Sequence, residues 1–254
     1  MQARVVATSR GGRWLAEGWR LFRAAPLSWF AAVFGYWLLM TVLSLVPFIG
    51  VPAAAVLVPA FSVGFMTLAR AASHRAPLAL GLLFDGFRHE LRTQLLLGTI
   101  YLACLAALLA ASTLVDDGAL AGWMLTGARP EDEVLQSPDF AVALATAAAL
   151  YLPVMLAFWF AAPLAAWHAL GAAKSLFFSL AASLMNWRAF LIYGALMAAI
   201  TVAVPFVLVQ ALALAGAGRI GAGIVLPLVI LLLPTLFASF YASYRDVFGY
   251  DAAP

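Results

Sequence analysis

Apolar residues fill this chain in long unbroken stretches, and polar residues collect in the short intervals between them. A helix crossing a bilayer core of about 30 Å needs about 20 apolar residues. Six stretches meet that demand: 27 to 46, 53 to 72, 95 to 115, 140 to 166, 189 to 214 and 221 to 243. The link from Pro47 to Pro52 has proline and glycine but no charge, which suits a tight turn. A different pattern precedes each odd-numbered stretch. In 13 to 23, Arg13, Glu17 and Arg20 share one helical face, with Trp14 or Leu15, Gly18 with Trp19, and Phe22 opposite. In 80 to 92, Asp85, Arg88, His89 and Arg92 face away from Leu80, Phe84, Phe87 and Leu91. In 175 to 188, Ser175, Ser179, Ser183 and Asn186 face away from Phe177, Leu180, Leu184 and Trp187. Such faces predict amphipathic helices lying in the inner membrane interface.

The even-numbered stretches share a further mark. Each holds two prolines, Pro52 and Pro59, Pro153 and Pro163, Pro227 and Pro234, and each ends on a basic residue eleven positions after the second: Arg70, Lys174 and Arg245. The expected fold is therefore all-α: a polytopic membrane protein of six transmembrane helices, arranged as three hairpins with interfacial amphipathic helices in a pseudo-threefold repeat. One membrane domain spans 1–254, with repeats over about 13–73, 78–173 and 174–248, the second carrying an acidic outer loop at 116–139. Proline removes a backbone donor and bends a helix unless neighbours compensate, so Pro59, Pro163 and Pro234 are candidate bends and the even-numbered helices are expected inside the bundle.

Charge sets the orientation. Arg4, Arg10, Arg13, Arg20 and Arg23 precede the first stretch, Arg70, Arg75, Arg88 and Arg92 separate the second from the third, and Lys174, Arg188 and Arg245 lie on the same side. Only Arg129 and Arg219 lie opposite. Twelve positive charges against two place both termini in the cytoplasm by the positive-inside rule. Composition agrees with a membrane location: 66% of residues are apolar, 10% are charged and mean hydropathy is +1.03, whereas soluble domains carry about 25% charged residues. A cleaved signal peptide fits poorly, because the basic region runs to Pro26 and the next apolar stretch follows at once. Cys104 stands alone in an apolar run, which rules out a disulfide within the chain and a cysteine-based metal site.

Candidate chemistry is sparse. No Asp, Glu, Lys or Arg lies in the central part of any stretch, so ion coupling or a proton relay through such residues is disfavoured. Ser62, Thr67, Thr99, Thr201, Gln210, Thr235 and Ser239 suit interhelical hydrogen bonds, with Gln210 the costliest to bury. Gly216, Gly218 and Gly221 spell GxGxxG in an outer turn with no strand before it. His89-Glu90 begins HExxH, but Thr93 stands where the second zinc ligand belongs. Asp117-Gly118 begins a CDP-alcohol phosphotransferase signature, but Gly122 replaces its arginine. Glu131, Asp132 and Glu133 offer oxygen ligands to a divalent cation, though a solvated acidic loop explains them as well. No catalytic, cofactor-binding or metal-ligating residue is assigned. The candidate lipid-headgroup contacts are Arg20, Arg23, Arg70, Arg88, Arg92, Lys174, Arg188 and Arg245, several beside an aromatic ring at the depth such rings favour.

The motifs GWRLFR, LLFDGFRHELR, KSLFFS followed by NWRAFLIYG, and SYRDVFG resemble an uncharacterised family of proteobacterial six-span inner-membrane proteins, more distantly similar to the YciC type. The resemblance implies location in the bacterial inner membrane and this topology, and carries no catalytic residues. The expected function is non-enzymatic support of envelope or lipid organisation through lateral contacts. The alternative is a transporter or permease for an apolar or lipid-like solute, which requires a cavity among the proline-bearing helices. Expected partners are membrane lipids with anionic headgroups at the cytoplasmic face, with no nucleic acid, and a second copy or another membrane protein as a lateral neighbour.

Overall fold

Prolines at first helical positions and left-handed residues at the breaks set the limits of the helices. Helix α1 (Arg10–Ala24) stops at Ala25, whose φ is −152°, and Pro26 starts α2 (Pro26–Ser44). Phe48, at φ 64°, turns the chain into α3 (Gly50–Ser73). A 3-10 segment (Leu80–Phe87) leads to α4 (Leu91–Asp116), which left-handed Glu90 and Asp117 bracket. Two short helices follow, α5 (Ala119–Thr126) and α6 (Asp132–Leu135). The Ser137 hydroxyl then accepts from the Phe140 N–H at 3.2 Å and caps α7 (Pro138–Phe158). The chain continues as α8 (Ala161–His168), α9 (Ala172–Met185), α10 (Trp187–Ala198), α11 (Val204–Leu214) and α12 (Gly218–Phe248).

This computed structural model describes residues 2–216 and 218–249, with only the backbone over 218–231 apart from Gly223 and Ile230. Among the described residues it is all-helical, without strands. Five helices there are long and apolar enough to cross a membrane: α2, α3, α4, α7 continued by α8, and α10 continued by α11. They match the first five predicted stretches. The sixth, 221 to 243, falls in α12, and Arg219 and Pro227 lie outside the described side chains.

Helix α3 is the centre of the bundle. Of its most apolar window 44% is buried, against 11 to 22% for the other four spans, and it packs on α2, α4, α8, α12 and the 3-10 segment. The expectation that even-numbered spans lie inside thus holds for α3 and fails for α7, whose Pro153 is exposed. Span four turns inward only past its break, where Ala161 to Ala166 are all buried. Between helices in lipid no solvent-driven hydrophobic gain is available, so close packing and hydrogen bonds must hold them. Aromatic rings supply much of that packing: Trp159 meets Phe190, Tyr193 and Phe240 with centroids 5.3, 5.6 and 4.8 Å away, and Phe65 stacks on Phe237 at 4.1 Å.

Three amphipathic segments are present where expected, but their buried faces differ from a simple interfacial reading. The apolar side of α1, with Trp14 fully buried, packs against α12 and α10 within the protein. In α9 the polarity is inverted. Ser175, Ser179, Ser183 and Asn186 are buried, while Phe177, Leu184 and Trp187 are more than half exposed. A bilayer rewards apolar groups outside, so the serines turn inward: Ser179 and Ser183 donate to the Leu156 carbonyl of α7, and Ser175 to the Leu170 carbonyl. The segment 80 to 92 is not one α-helix. Residues 80–87 form a 3-10 helix that buries Leu83 and Gly86 against α3 and leaves Leu80 and Phe84 about half exposed.

Of the three candidate bends, Pro163 accompanies an interruption of the α-helix, at Trp159–Phe160 between α7 and α8, whereas α3 and α12 run through Pro59 and Pro234 unbroken. A further proline that the repeat pattern left out, Pro205, stands in the first turn of α11, just after a π-helical turn (Ala199–Ala203). A π turn widens the helix by one residue and so absorbs the missing proline donor.

Candidate functional site

The most polar region lies where the two ends of the chain meet. The Arg4 N–H donates to the Val247 carbonyl at 2.8 Å, and the Asn186 amide accepts from Val6 N–H and donates to the Arg4 carbonyl, at 2.8 and 2.9 Å. Asp246 sits behind this clamp with its side chain 7% exposed. It accepts from Arg10 Nε at 2.7 Å and from Trp14 Nε1 at 2.8 Å. Glu17 accepts from Arg245 at 2.8 Å and from Arg20 at 2.9 Å. Burial disfavours the charged form of Arg245, but the Glu17 hydrogen bond and the charges of Glu17 and Asp246 outweigh it and raise its pKa. The guanidinium therefore remains charged, and this knot joins α1 to α12.

The ends of other helices gather at the same place. Ser73 at the end of α3 lies 3.5 Å from the Tyr241 hydroxyl, His168 at the end of α8 lies 2.7 Å from that of Tyr244, and Asn186 precedes α10. Around this end Arg23, Arg88, Arg92, Lys174 and Arg188 are exposed, as is Arg20, while Arg70 and Arg245 are partly buried. The Arg188 guanidinium lies 5.4 Å from the Trp187 ring centroid, a cation–π contact of the aromatic-arginine kind expected from sequence. At the opposite end Arg129 pairs with Asp132 at 2.6 Å, and Asp116 accepts from the Gly118 and Leu120 N–H groups at the start of α5. Trp123, Met124 and Leu125 of α5 are exposed.

The break between α7 and α8 is repaired by side chains. In a continuous helix the Phe160 N–H would donate to the Leu156 carbonyl. Here Ser179 stands between them, accepting from Phe160 N–H at 2.8 Å and donating to the Leu156 carbonyl at 3.0 Å, with Ser183 donating to that carbonyl at 3.2 Å. Gln94 of α4 ties in α8 by donating to the Ala162 carbonyl at 2.9 Å, while its own amide oxygen is buried without a partner. Sequence reasoning passed over Gln94 because it opens a span. It instead singled out Gln210, which is exposed on α11.

Beside the break lies a cavity of about 290 Å³, lined by Pro59 and Ser62 of α3, Tyr101 of α4, Tyr151 of α7, Trp159 and Phe240 of α12, among others. Among the described residues, α3, α4, α7 and α12 leave this space open beside Pro59. A second cavity of about 440 Å³ lies between α4 and α7, with Leu105, Leu108, Leu144 and Ala148 in its walls. Tyr101 and Tyr151 border both, and their hydroxyls lie 3.1 Å apart. Both tyrosines went unremarked in the sequence, where the signal was a lone hydroxylated ring in the middle of each span. Among the described residues, no three His, Cys, Asp or Glu side chains gather as a metal cage.

A probable inner membrane protein of Burkholderia thailandensis is 38% identical to this chain over 256 aligned residues, covering 98% of this chain and 94% of the relative. No family model matches the chain. No solved structure matches it significantly.

Proposed function

Since this chain belongs to the family of inner-membrane proteins represented by that Burkholderia relative, we propose that it organises lipids or neighbouring proteins in the membrane without catalysing a reaction. The observation that carries this reading is a set of exposed cations near helix ends, while the acids Glu17 and Asp246 beside the joined chain ends are paired within the protein. Arg23, Arg88, Arg92, Lys174 and Arg188 are exposed and suit anionic headgroups. Arg20 shares itself between that surface and Glu17. The more distant YciC-type likeness rests on the short motifs alone.

In the same reading α12 supplies the sixth span, and α2 with α3, α4 with α7 and α8, and α10 and α11 with α12 form three hairpins. Contacts of α2 with α3, α4 with α7 and α11 with α12 support that pairing. The cationic end is cytoplasmic. In a Cys104→Ala background, Leu125→Cys is expected to react with an impermeant maleimide in intact cells and Ala79→Cys only after lysis. The reverse pattern would overturn the orientation.

Lipid preference tests the function. In nanodiscs containing phosphatidylethanolamine and phosphatidylglycerol, the purified protein should retain phosphatidylglycerol preferentially in native mass spectrometry. Substituting glutamine for Arg23, Arg92 and Arg188 together should reduce that preference by about tenfold or more. An unchanged preference would remove headgroup recognition from the account. The cavity beside Pro59 favours a second reading, passage of a lipid-like solute, for which transbilayer movement of a fluorescent phospholipid in proteoliposomes is the deciding measurement.

A further inference from the structure

The geometry points to the groove between α4 and α7 as a seat for one acyl chain of a phospholipid, laid against the Tyr101–Tyr151 pair with its headgroup toward the start of α4. It rests on the lipid-binding reading above and names the part of the lipid and the place. The two cavities that share these tyrosines extend along α4 from Leu97 to Leu109. At 1.5 Å per residue that is about 18 Å. The acyl chains of one leaflet fill about half of a core about 30 Å thick, so the groove accepts one chain along most of its length.

The walls fit the same occupant. Leu97, Leu105, Leu108, Leu144 and Met155 are apolar, and the tyrosine hydroxyls turn to each other, which leaves ring surface toward the groove. Leu144 of α7 is 52% and Met124 of α5 66% exposed, so among the described residues the groove opens onto the apolar surface that the bilayer contacts. Water gains little from such walls, and an acyl chain gains dispersion contacts with both helices. Arg92, exposed near the start of α4, is on the opposite face of the helix from Leu97, Tyr101 and Leu108, so the apolar walls and the length of the groove define the seat.

The test uses the full-length protein in nanodiscs containing a phospholipid with a diazirine at the end of one acyl chain. After irradiation, crosslinks should concentrate on Leu105, Leu108, Leu144 and Ala148, at about fivefold or more the level on outward-facing, mid-span Val202 and Phe206. Ala148 is exposed into the groove, so Ala148→Trp fills the space without entering the core. That variant should bring groove labelling down to the level of Val202. Leu144→Trp provides the same blockade from an equally exposed position if Ala148→Trp does not fold. Uniform labelling from the outset, or groove labelling that survives both tryptophans, would overturn the seat. Repeating the experiment in phosphatidylcholine alone separates the two readings. Enriched groove labelling there, together with an unchanged phosphatidylglycerol preference in the arginine variants, retains the acyl seat and discards headgroup recognition.

Discussion

Replacing Gly18 with leucine is expected to pull α1 from α12 and destabilise the protein by about 3 kcal/mol or more. A β-carbon at Gly18 would meet the Thr235 carbonyl and Ser239, both on the α12 backbone or beside it, and neither helix has a flexible side chain to yield there. Gly11, two turns earlier, presses in the same way on Ala189 and Tyr193 of α10, so α1 is held at two glycines seven residues apart. Leucine at Gly11 should act similarly. Their controls are close by: Gly35 has nothing near its missing β-carbon, and alanine there should leave stability unchanged or raise it by about 0.5 kcal/mol through helix propensity. Titration of the purified protein with sodium dodecyl sulfate in mild detergent, followed by circular dichroism, reads all three. Equal midpoints for Gly18→Leu and Gly35→Ala would show that the α1–α12 contact does not hold the native state.

Asp246→Ala should cost nearly as much, about 3 kcal/mol in the same titration, because it removes the acceptor that both Arg10 and the buried Trp14 indole use. The loss comes less from the attraction forfeited than from the donors left behind: an indole N–H within a ring cluster and an arginine side chain 31% exposed. Asp246→Asn keeps an acceptor for one of them and should fall between wild type and alanine. The exposed pair Arg129–Asp132 is the comparison. Both partners are at least 65% exposed, and Asp132→Ala should shift stability by about 0.5 kcal/mol at most. A similar loss from Asp132→Ala and Asp246→Ala would mean that burial of the knot contributes nothing.

These two expectations rest on residues that the sequence displayed without ranking. GWRLFR and SYRDVFG were legible as motifs, and both sit where interfacial anchors are expected. That Gly18 of one lies against Ser239, just before the other, follows from a contact across more than two hundred residues. Asp246 had a faint signal as an acid among the basic residues of that end. The five spans were legible because hydrocarbon thickness imposes a length that composition alone reveals. The inverted face of α9 was not, since a 3.6 period fixes which residues share a face and says nothing of whether lipid or protein meets it. The headgroup candidates divide for the same reason: Arg92 and Arg188 face outward, whereas Arg245 is drawn in by Glu17.

Local rules therefore account for the helical class, the span lengths, the asymmetry of charge and the positions where backbone donors are missing. Each depends on one stretch of chain and its medium. Tertiary structure decided how those defects are answered. Ser179 fills the gap opened near Pro163, a π turn absorbs Pro205, and Pro59 is accommodated within α3 at the wall of a cavity. It also brought Tyr101 and Tyr151 together from spans fifty residues apart and left an apolar groove on either side. Such pairings depend on which helices become neighbours. In a membrane that choice turns on close packing and a few buried hydrogen bonds, which a hydropathy pattern does not encode.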